Sequence, residues 1–282
     1  MAVLDAFPGF TFGCDPEFFI LNAEGVTVSA HDLLPGTKHE PYKVPGGAIQ
    51  VDGVAAEFNI DPASSFEEFN HNIVRVMKTL VSMLPAGYKA SIVPSVIFSP
   101  EEWDRIPDGA KVLGCEPDYN AWTGSVNPTP RDTTERLRTA SGHLHIGWEG
   151  KVSDDPVMHV KNCNDLVTQL DWYLGGWSLL RDADPVRRRL YGKAGSCRYK
   201  PYGVEYRVLS NFWLMTKTRR LEVWNRMNKA IYDMATLFRP EKNKIHNNNL
   251  VHRINNSIRE SSFERAYNEP ICSIDYDNGN NH

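Results

Sequence analysis

The segment Ser141-Gly142-His143-Leu144-His145-Ile146-Gly147-Trp148 constrains the fold more than any other stretch of the chain. Side chains alternate across a β-strand, so His143 and His145 share one face while Leu144 and Ile146 occupy the other. Such a strand needs a sheet with an apolar core against one face and a polar space against the opposite one. Three further segments carry charge into apolar strands in the same manner. Val54-Ala55-Ala56-Glu57-Phe58-Asn59-Ile60 places Glu57 and Asn59 on one face, and Gly203-Val204-Glu205-Tyr206-Arg207-Val208 does the same with Glu205 and Arg207. Gly13-Cys14-Asp15-Pro16-Glu17-Phe18 presents Asp15 and Glu17 two residues apart, and Gly114-Cys115-Glu116-Pro117-Asp118-Tyr119 echoes it weakly with Glu116 and Asp118.

A charge in an apolar strand is costly unless it is paired or bound to metal. Oxygen-rich ligation with one or two histidines suits magnesium or manganese better than zinc, and those ions commonly hold nucleotide phosphates. Each segment also has a plainer reading. Asp-Pro and Glu-Pro are ordinary turn starters with solvated carboxylates. A lone strand histidine is usually structural, and Glu205 with Arg207 could be a nearly neutral surface ion pair on an edge strand. No glycine-rich GxxxxGK loop is present, so a cationic clamp for phosphate falls to Lys193, Arg198, Lys200 and Arg207.

The chain has 282 residues, 41% hydrophobic and 11% aromatic, enough for one large core. Its 31 basic and 35 acidic residues are interspersed and sum to −4, which leaves no net field to hold it on nucleic acid or a membrane. Five cysteines, at 14, 115, 163, 197 and 272, form no CxxC pair and favour a reduced setting. No window approaches the roughly 18 apolar residues of a membrane span, and no basic-then-apolar leader is read at the N-terminus. A soluble, cytoplasmic protein is expected.

Turn chemistry and periodicity predict an α+β chain. Short strands are expected at Phe10 to Phe12, Glu17 to Leu21, Val26 to Ser29, Ala48 to Val51 and Val54 to Ile60, the last two joined by a hairpin at Asp52-Gly53. Ser64 and Ser65 ahead of Glu67 and Glu68 cap a helix from Phe66 that stops before Pro85. A strand Ala90 to Phe98, a charged connection through Pro107, a strand Val112 to Cys115 and a long polar loop holding Asn127 to Arg138 follow. Asp165 to Leu180 reads as helix, Arg187 to Gly203 as an irregular basic segment, and Val204 to Leu209 as strand. Helices are expected over Lys217 to Phe238 and Leu250 to Tyr267, with Asn247 to Asn249 in a loop. Trp172, Tyr173 and Trp177 read as core, and Arg187-Arg188-Arg189 as an exposed basic helix end. The predicted organisation is one domain over 1–270, helical from about 216, with a polar, disordered tail over 271–282.

The ordered set GCDPEFFI, VDGVAAEFNI, GCEPDYNAW, RTASGHLHIGW, LYGKAGSCRYKPYG and VEYRVLSNFW resembles the carboxylate-amine ligases of the glutamine synthetase and glutamate-cysteine ligase superfamily, especially the phage-type COOH-NH2 ligases. The resemblance runs from about Phe12 to Trp213. It implies a curved antiparallel sheet with helices on its outer face, ATP at one end of a cleft, and divalent ions between the phosphates and a substrate carboxylate. The implied metal ligands are Asp15, Glu17, Glu57, His143 and Glu205, with Asp15 standing where glutamate is more usual. His145 is implied to face the nucleotide and Arg207 the phosphate. Arg207, Glu57 and Arg198 are the implied catalytic groups, and Glu116, Asp118 and Arg138 are assigned to substrate, with Glu116 and Asp118 open to metal as well as to the incoming amine. ATP would phosphorylate a carboxylate and an amine would displace the phosphate. The partners implied are small-molecule or peptide acids and amines, with nucleic acid only as a modified substrate, in the host cytoplasm if the gene is a phage's. A related-fold kinase that stops at the first transfer, and a non-catalytic nucleotide-binding scaffold, are the alternatives. No heptad or self-complementary patch fixes an oligomeric state.

Overall fold

Alternation along the strands sorts apolar from polar side chains and so decides which way the sheet faces. The computed structural model describes residues 2–111, 118–128, 135–148, 155–182, 184–236 and 244–256. In chain order the strands are β1 (Thr11–Leu21), β2 (Thr27–Val28), β3 (Tyr42–Val44), β4 (Gly47–Asp52), β5 (Ala55–Ile60), β6 (Lys89–Ser91), β7 (Ser95–Ile97), β8 (Tyr119–Asn120), β9 (Ser125–Val126), β10 (Leu137–Thr139), β11 (Gly142–Gly147), β12 (Ser196–Lys200) and β13 (Gly203–Tyr206). The helices are α1 (Phe66–Met83), α2 (Pro100–Arg105), α3 (Asp108–Lys111), α4 (Pro156–Leu170), α5 (Gly176–Arg181), α6 (Pro185–Leu190), α7 (Lys217–Thr236) and α8 (Lys244–Asn256). A π turn over Asp171–Gly175 joins α4 to α5, and a 3-10 turn spans Asn211–Met215.

The fold is α+β. One open sheet runs β3-β4-β5-β1-β11-β13-β12-β8-β9, with β2 and β6 also paired to β1, and its ladders are antiparallel. Even-numbered residues of the central strands, Phe12, Cys14, Phe18, Ala56, Phe58, Leu144, Ile146, Val204 and Tyr206, are buried in one core with residues of α1, α4 and α7. Phe12 meets Trp224 of α7 edge to face at 4.9 Å, and Phe69 of α1 stacks on Trp213. Each large apolar side chain buried in this way contributes roughly 1.5–3 kcal/mol. A second, smaller cluster of Phe19, Val54, Ala55, Phe98, Trp103, Ile106, Ala110 and Ala140 lies where β1 meets α2 and α3.

Several elements match their sequence signals. Ser65 caps α1 by accepting from the Glu68 N–H, while Glu68 reaches back to the Ser64 N–H, and the helix stops before Pro85. The β4–β5 hairpin forms, with its two-residue turn at Gly53-Val54 and Asp52 paired to Ala55.

Other elements differ for identifiable reasons. The expected strands at Phe10 to Phe12 and Glu17 to Leu21 are one strand, and Pro16 sits within it, so Asp15-Pro16 starts no turn. The expected strand Ala90 to Phe98 divides at Pro94 into β6, on β1, and β7, which pairs with β10 in a separate ribbon. Proline cannot donate to a ladder, and the chain changes partners there. The charged connection before Pro107 is helical at α2, capped by Ser99 with Pro100 in the first turn. α4 begins nine residues ahead of Asp165, where Asp155 caps it and Pro156 opens it.

The segment from Arg187 is not irregular, since it contains the end of α6 and all of β12. Arg187 and Arg188 are buried at 1% and 2% exposure, and only Arg189 of the three is exposed. Asn247 to Asn249 lie in α8, not in a loop. Trp177 is fully buried and Trp172 and Tyr173 pack against the core. The strand expected at Val112 to Cys115, the end of the last helix and the polar tail lie outside the described residues. Among the described residues no helix is long and apolar enough to cross a membrane.

Candidate functional site

Cross-strand register gathers the odd-numbered residues into one polar face. Asp15 lies opposite His143, Glu17 opposite Glu57, and Glu57 opposite Gln50 on its other side. His145 lies opposite Glu205, and Glu205 opposite Arg198. Directly paired residues stand about 4.5–5.5 Å apart at Cβ, so residues distant in sequence become neighbours by pairing alone. β13 is an interior strand and Glu205 is 1% exposed, which rules out a surface ion pair.

At the first cluster, His145 Nε2 lies 3.0 Å from Asp15 Oδ1 and His143 Nδ1 lies 3.5 Å from it. His143 Nδ1 is also 3.5 Å from Glu205 Oε1 and 3.3 Å from Arg207 Nη1. Glu205 is ringed by cations. Arg207 Nη1 donates to its Oε1, Lys200 Nζ is 2.9 Å from Oε2, and Arg198 Nη1 is 3.7 Å from Oε1. Tyr202, in the β12–β13 turn, hydrogen-bonds His145 Nδ1 through its hydroxyl. A second cluster joins Glu17, Asp52 and Glu57. The Ser141 N–H donates to Glu17 Oε2 at 2.7 Å.

Two electrostatic regimes result. Burial alone raises the Asp15 carboxyl, but His145 and His143 outweigh it and hold Asp15 well below the ordinary range. Burial and Asp15 also raise Glu205, yet Arg207, His143 and His145 bring it to about 2. His143 is pulled down to about 4 by burial and by Arg207, against the pull of Asp15. Burial lowers His145 too, but Asp15 overrides it and the imidazole ends above its usual value. Burial and Asp52 lift Glu17 to about 7, and burial with Asp15, Glu17 and Asp52 raises Glu57 strongly. Crowded carboxylates of this kind are stabilised in their charged form by a cation.

The donor sets fit hard divalent ions. Asp15, His145 and Glu205 offer two carboxylates and one imidazole, with ligand atoms all within 4.8 Å of one another, and Glu17, Asp52 and Glu57 offer three carboxylates equally close. Asp15 Oδ1 and His145 Nε2 are buried and face each other at 3.0 Å, with His143 Nδ1 3.5 Å from the same oxygen, so the carboxylate and both imidazoles converge on one point.

The face opens into two joined compartments that share Asp15, Gln50 and Glu57. One, of about 300 Å³, is charged and holds Glu17, Asp52, His143, Arg198, Lys200, Glu205 and Arg207, with Lys38, Arg138 and Tyr191 also in its lining. The other, of about 490 Å³, is more apolar and is bounded by Gly13, Ile60, Pro62, His145 and Tyr202.

The structure therefore brings together Asp15, Glu17, Glu57, His143, His145, Arg198, Lys200, Glu205 and Arg207. Lys193 lines neither compartment, since it lies in the turn ahead of β12, where its carbonyl accepts from the Ser196 N–H. Asp118 lies at the far edge of the sheet and accepts from Asn127 Nδ2 at 3.4 Å. Glu116 lies outside the described residues. Arg138 reaches the charged compartment, but its guanidinium donates to the carbonyls of Lys111, Glu135 and Leu137 and covers the Trp103 ring at 4.4 Å. Sequence reasoning missed Lys38, Gln50, Asp52 and Tyr202. Asp52 was legible in part, since counting back by two across the β4–β5 hairpin puts it on the Glu57 face.

No protein-family model matches the chain, and neither does any curated protein. Among solved structures, it is similar to a bifunctional glutathione synthetase from Pasteurella multocida at TM-score 0.51 and 12% identity, covering 86% of this chain and 40% of that one. It also matches a glutamine synthase homolog at TM-score 0.42 and 12% identity, covering 92% and 67%. The chain spans about two fifths of the glutathione synthetase, and what it shares with that enzyme is the fold, an α+β arrangement on an antiparallel sheet.

Proposed function

We propose that the chain is an ATP-dependent carboxylate-amine ligase that forms an amide through an acyl phosphate. The observation that carries this reading is the convergence of Asp15, Glu17, Glu57, His143 and Glu205 from four strands beside the cations Arg198, Lys200 and Arg207. The likeness in fold to a glutathione synthetase supports it.

Asp15, His143, His145 and Glu205 would hold one magnesium or manganese ion, and Glu17, Asp52 and Glu57 a second. Bound there, the ions supply charge neutralisation to phosphate oxygens and polarise the carboxylate. Arg207 and Arg198 offset the negative charge on the γ-phosphoryl group as it passes from ATP to the substrate carboxylate, with ADP leaving. A carboxylate is a poor acyl donor because oxide leaves badly, whereas phosphate leaves well. The amine then attacks the acyl carbon, the amide bond forms and phosphate departs. The acidic face of Glu17, Asp52 and Glu57 draws the ammonium in, and Glu57 in its carboxylate form takes the proton. The acid and amine are small molecules or peptide termini, and Lys38, Arg138 and Tyr191 line the charged compartment that would receive the acid.

The test is phosphate release from ATP and magnesium with pooled acids and amines, with products followed by mass for the native chain and Glu205→Ala. A product condensed with loss of water and absent from the variant establishes the ligase. Phosphorylated acid without condensation replaces it with a kinase, and absence of nucleotide binding leaves only the fold.

A further inference from the structure

β13 ends at Tyr206, so the carbonyls of Arg207 and Val208 lie beyond the ladder. One side chain takes up both. Arg187, in the last turn of α6, donates from Nη1 to the Val208 carbonyl at 3.0 Å and from Nη2 to the Arg207 carbonyl at 3.2 Å. Its Nε and Nη2 also reach Ser141 Oγ, at 3.3 and 3.0 Å. Ser141 is the residue whose N–H holds Glu17 Oε2, and its neighbour Gly142 donates to the Leu209 carbonyl at 3.0 Å.

All four contacts of this buried guanidinium are to uncharged oxygens, although burying a charge is costly. What the contacts share is location. They tie the backbone that carries Arg207 to the residue that orients Glu17. Gly192, at φ +68°, leaves room for this, because a Cβ there would come 2.2 Å from Arg187 Nη1 and 2.6 Å from the Val208 carbonyl.

We propose that Arg187 is a positioning residue, which fixes the Arg207 segment and the Glu17 carboxylate relative to each other. Its effect on rate rests on the ligase reading, while its effect on the backbone does not. Two variants separate the fork from the charge. Arg187→Lys keeps the charge but cannot bridge several acceptors in one plane. Gly192→Ala keeps Arg187 and displaces it.

Amide hydrogen exchange at Ser141 and Gly142 is measured by NMR in both variants, beside steady-state phosphate release. Exchange at these amides is expected to quicken by about tenfold or more while the β4–β5 hairpin amides keep their protection. The kcat is expected to fall about 100-fold, with KM for ATP changed by less than about threefold. Arg189→Lys, at an exposed neighbour, should alter neither readout. Unchanged exchange in both variants overturns the proposal, as does quickening shared equally by the hairpin, which marks a general loss of stability. Loosened exchange with native kcat also overturns it. A native chain that releases no phosphate removes the ligase reading and leaves the exchange data to decide the positioning role.

Discussion

The Tyr206 hydroxyl donates to Asp171 Oδ1 at 2.8 Å through the core, from the strand that carries Glu205 to the π turn on the opposite side of the sheet. Asp171 Oδ2 takes the Gly195 N–H at 2.7 Å and Trp122 Nε1 at 2.6 Å. A single carboxyl thus joins β13, the turn leading into β12 and the β8–β9 turn. π turns of this kind recur near functional sites.

This carboxyl gives a pH signature. Burial raises Asp171 from 3.8 to about 7 despite its three donors. Above the unfolded value the unfolded chain loses the proton freely while the folded chain keeps it, so stability falls as pH rises from about 4 to about 7 and levels off beyond. The slope is at most about 1.4 kcal/mol per pH unit. Asp171→Asn removes this term. The difference between native and variant urea-denaturation stability should therefore shift in the variant's favour across that window, and a pH-independent difference would refute the assignment.

Gly175 closes the π turn against the same pair. A Cβ there would lie 2.7 Å from Ile254 Cδ1 and 3.1 Å from both Asp171 Oδ1 and the Tyr206 hydroxyl. Gly175→Ala is expected to cost about 1–3 kcal/mol by overpacking, read as a lowered melting temperature. An unchanged melting temperature would mean that the turn yields easily.

Asp52 separates ion binding from folding. It is exposed, and it completes the trio with Glu17 and Glu57. Asp52→Asn should weaken Mn2+ binding, measured by electron paramagnetic resonance titration, by about tenfold, while stability stays within about 0.5 kcal/mol of native. Equal affinity would place the second ion elsewhere.

Arg207 touches both Glu205 Oε1 and His143 Nδ1 through one nitrogen, Nη1, and its planar guanidinium is the group suited to phosphate. Arg207→Lys preserves the charge but should lower ATP-dependent phosphate release by about 100-fold. Near-native turnover would show that charge alone suffices.

The polar face was legible because a two-residue period fixes direction whatever the partner strands are. Asp15 with Glu17, His143 with His145, and Glu205 with Arg207 each declared a shared face from local spacing. What spacing cannot state is which strands become neighbours, so the contact of His145 with Tyr202 came only with the structure, and the hairpin put Asp52 beside Glu57 but only the β1–β5 register added Glu17. Lys193 and Asp118 were drawn in by composition and by an echo of sequence, neither of which carries a direction. Arg187 and Arg188 read as exposed because arginine usually is, but the unfinished ladder after Tyr206 buries Arg187, and Asp182 with Ser178 receives Arg188.

The end wall of the cleft has its own origin. α2 is built by local signals, Ser99 at the cap and Pro100 in the first turn, and through Trp103, Ile106 and Ala110 it and α3 pack on Phe19 and Phe98 apart from the main core. Ala110 and the Arg138 held by the Lys111 carbonyl form part of the charged compartment from that wall. The charged face is thus set by the sheet, while part of the wall beside it comes from a segment anchored in the second cluster. Grafting a different sequence across 99–111 would reshape that wall while the carboxylates stay where strand pairing puts them.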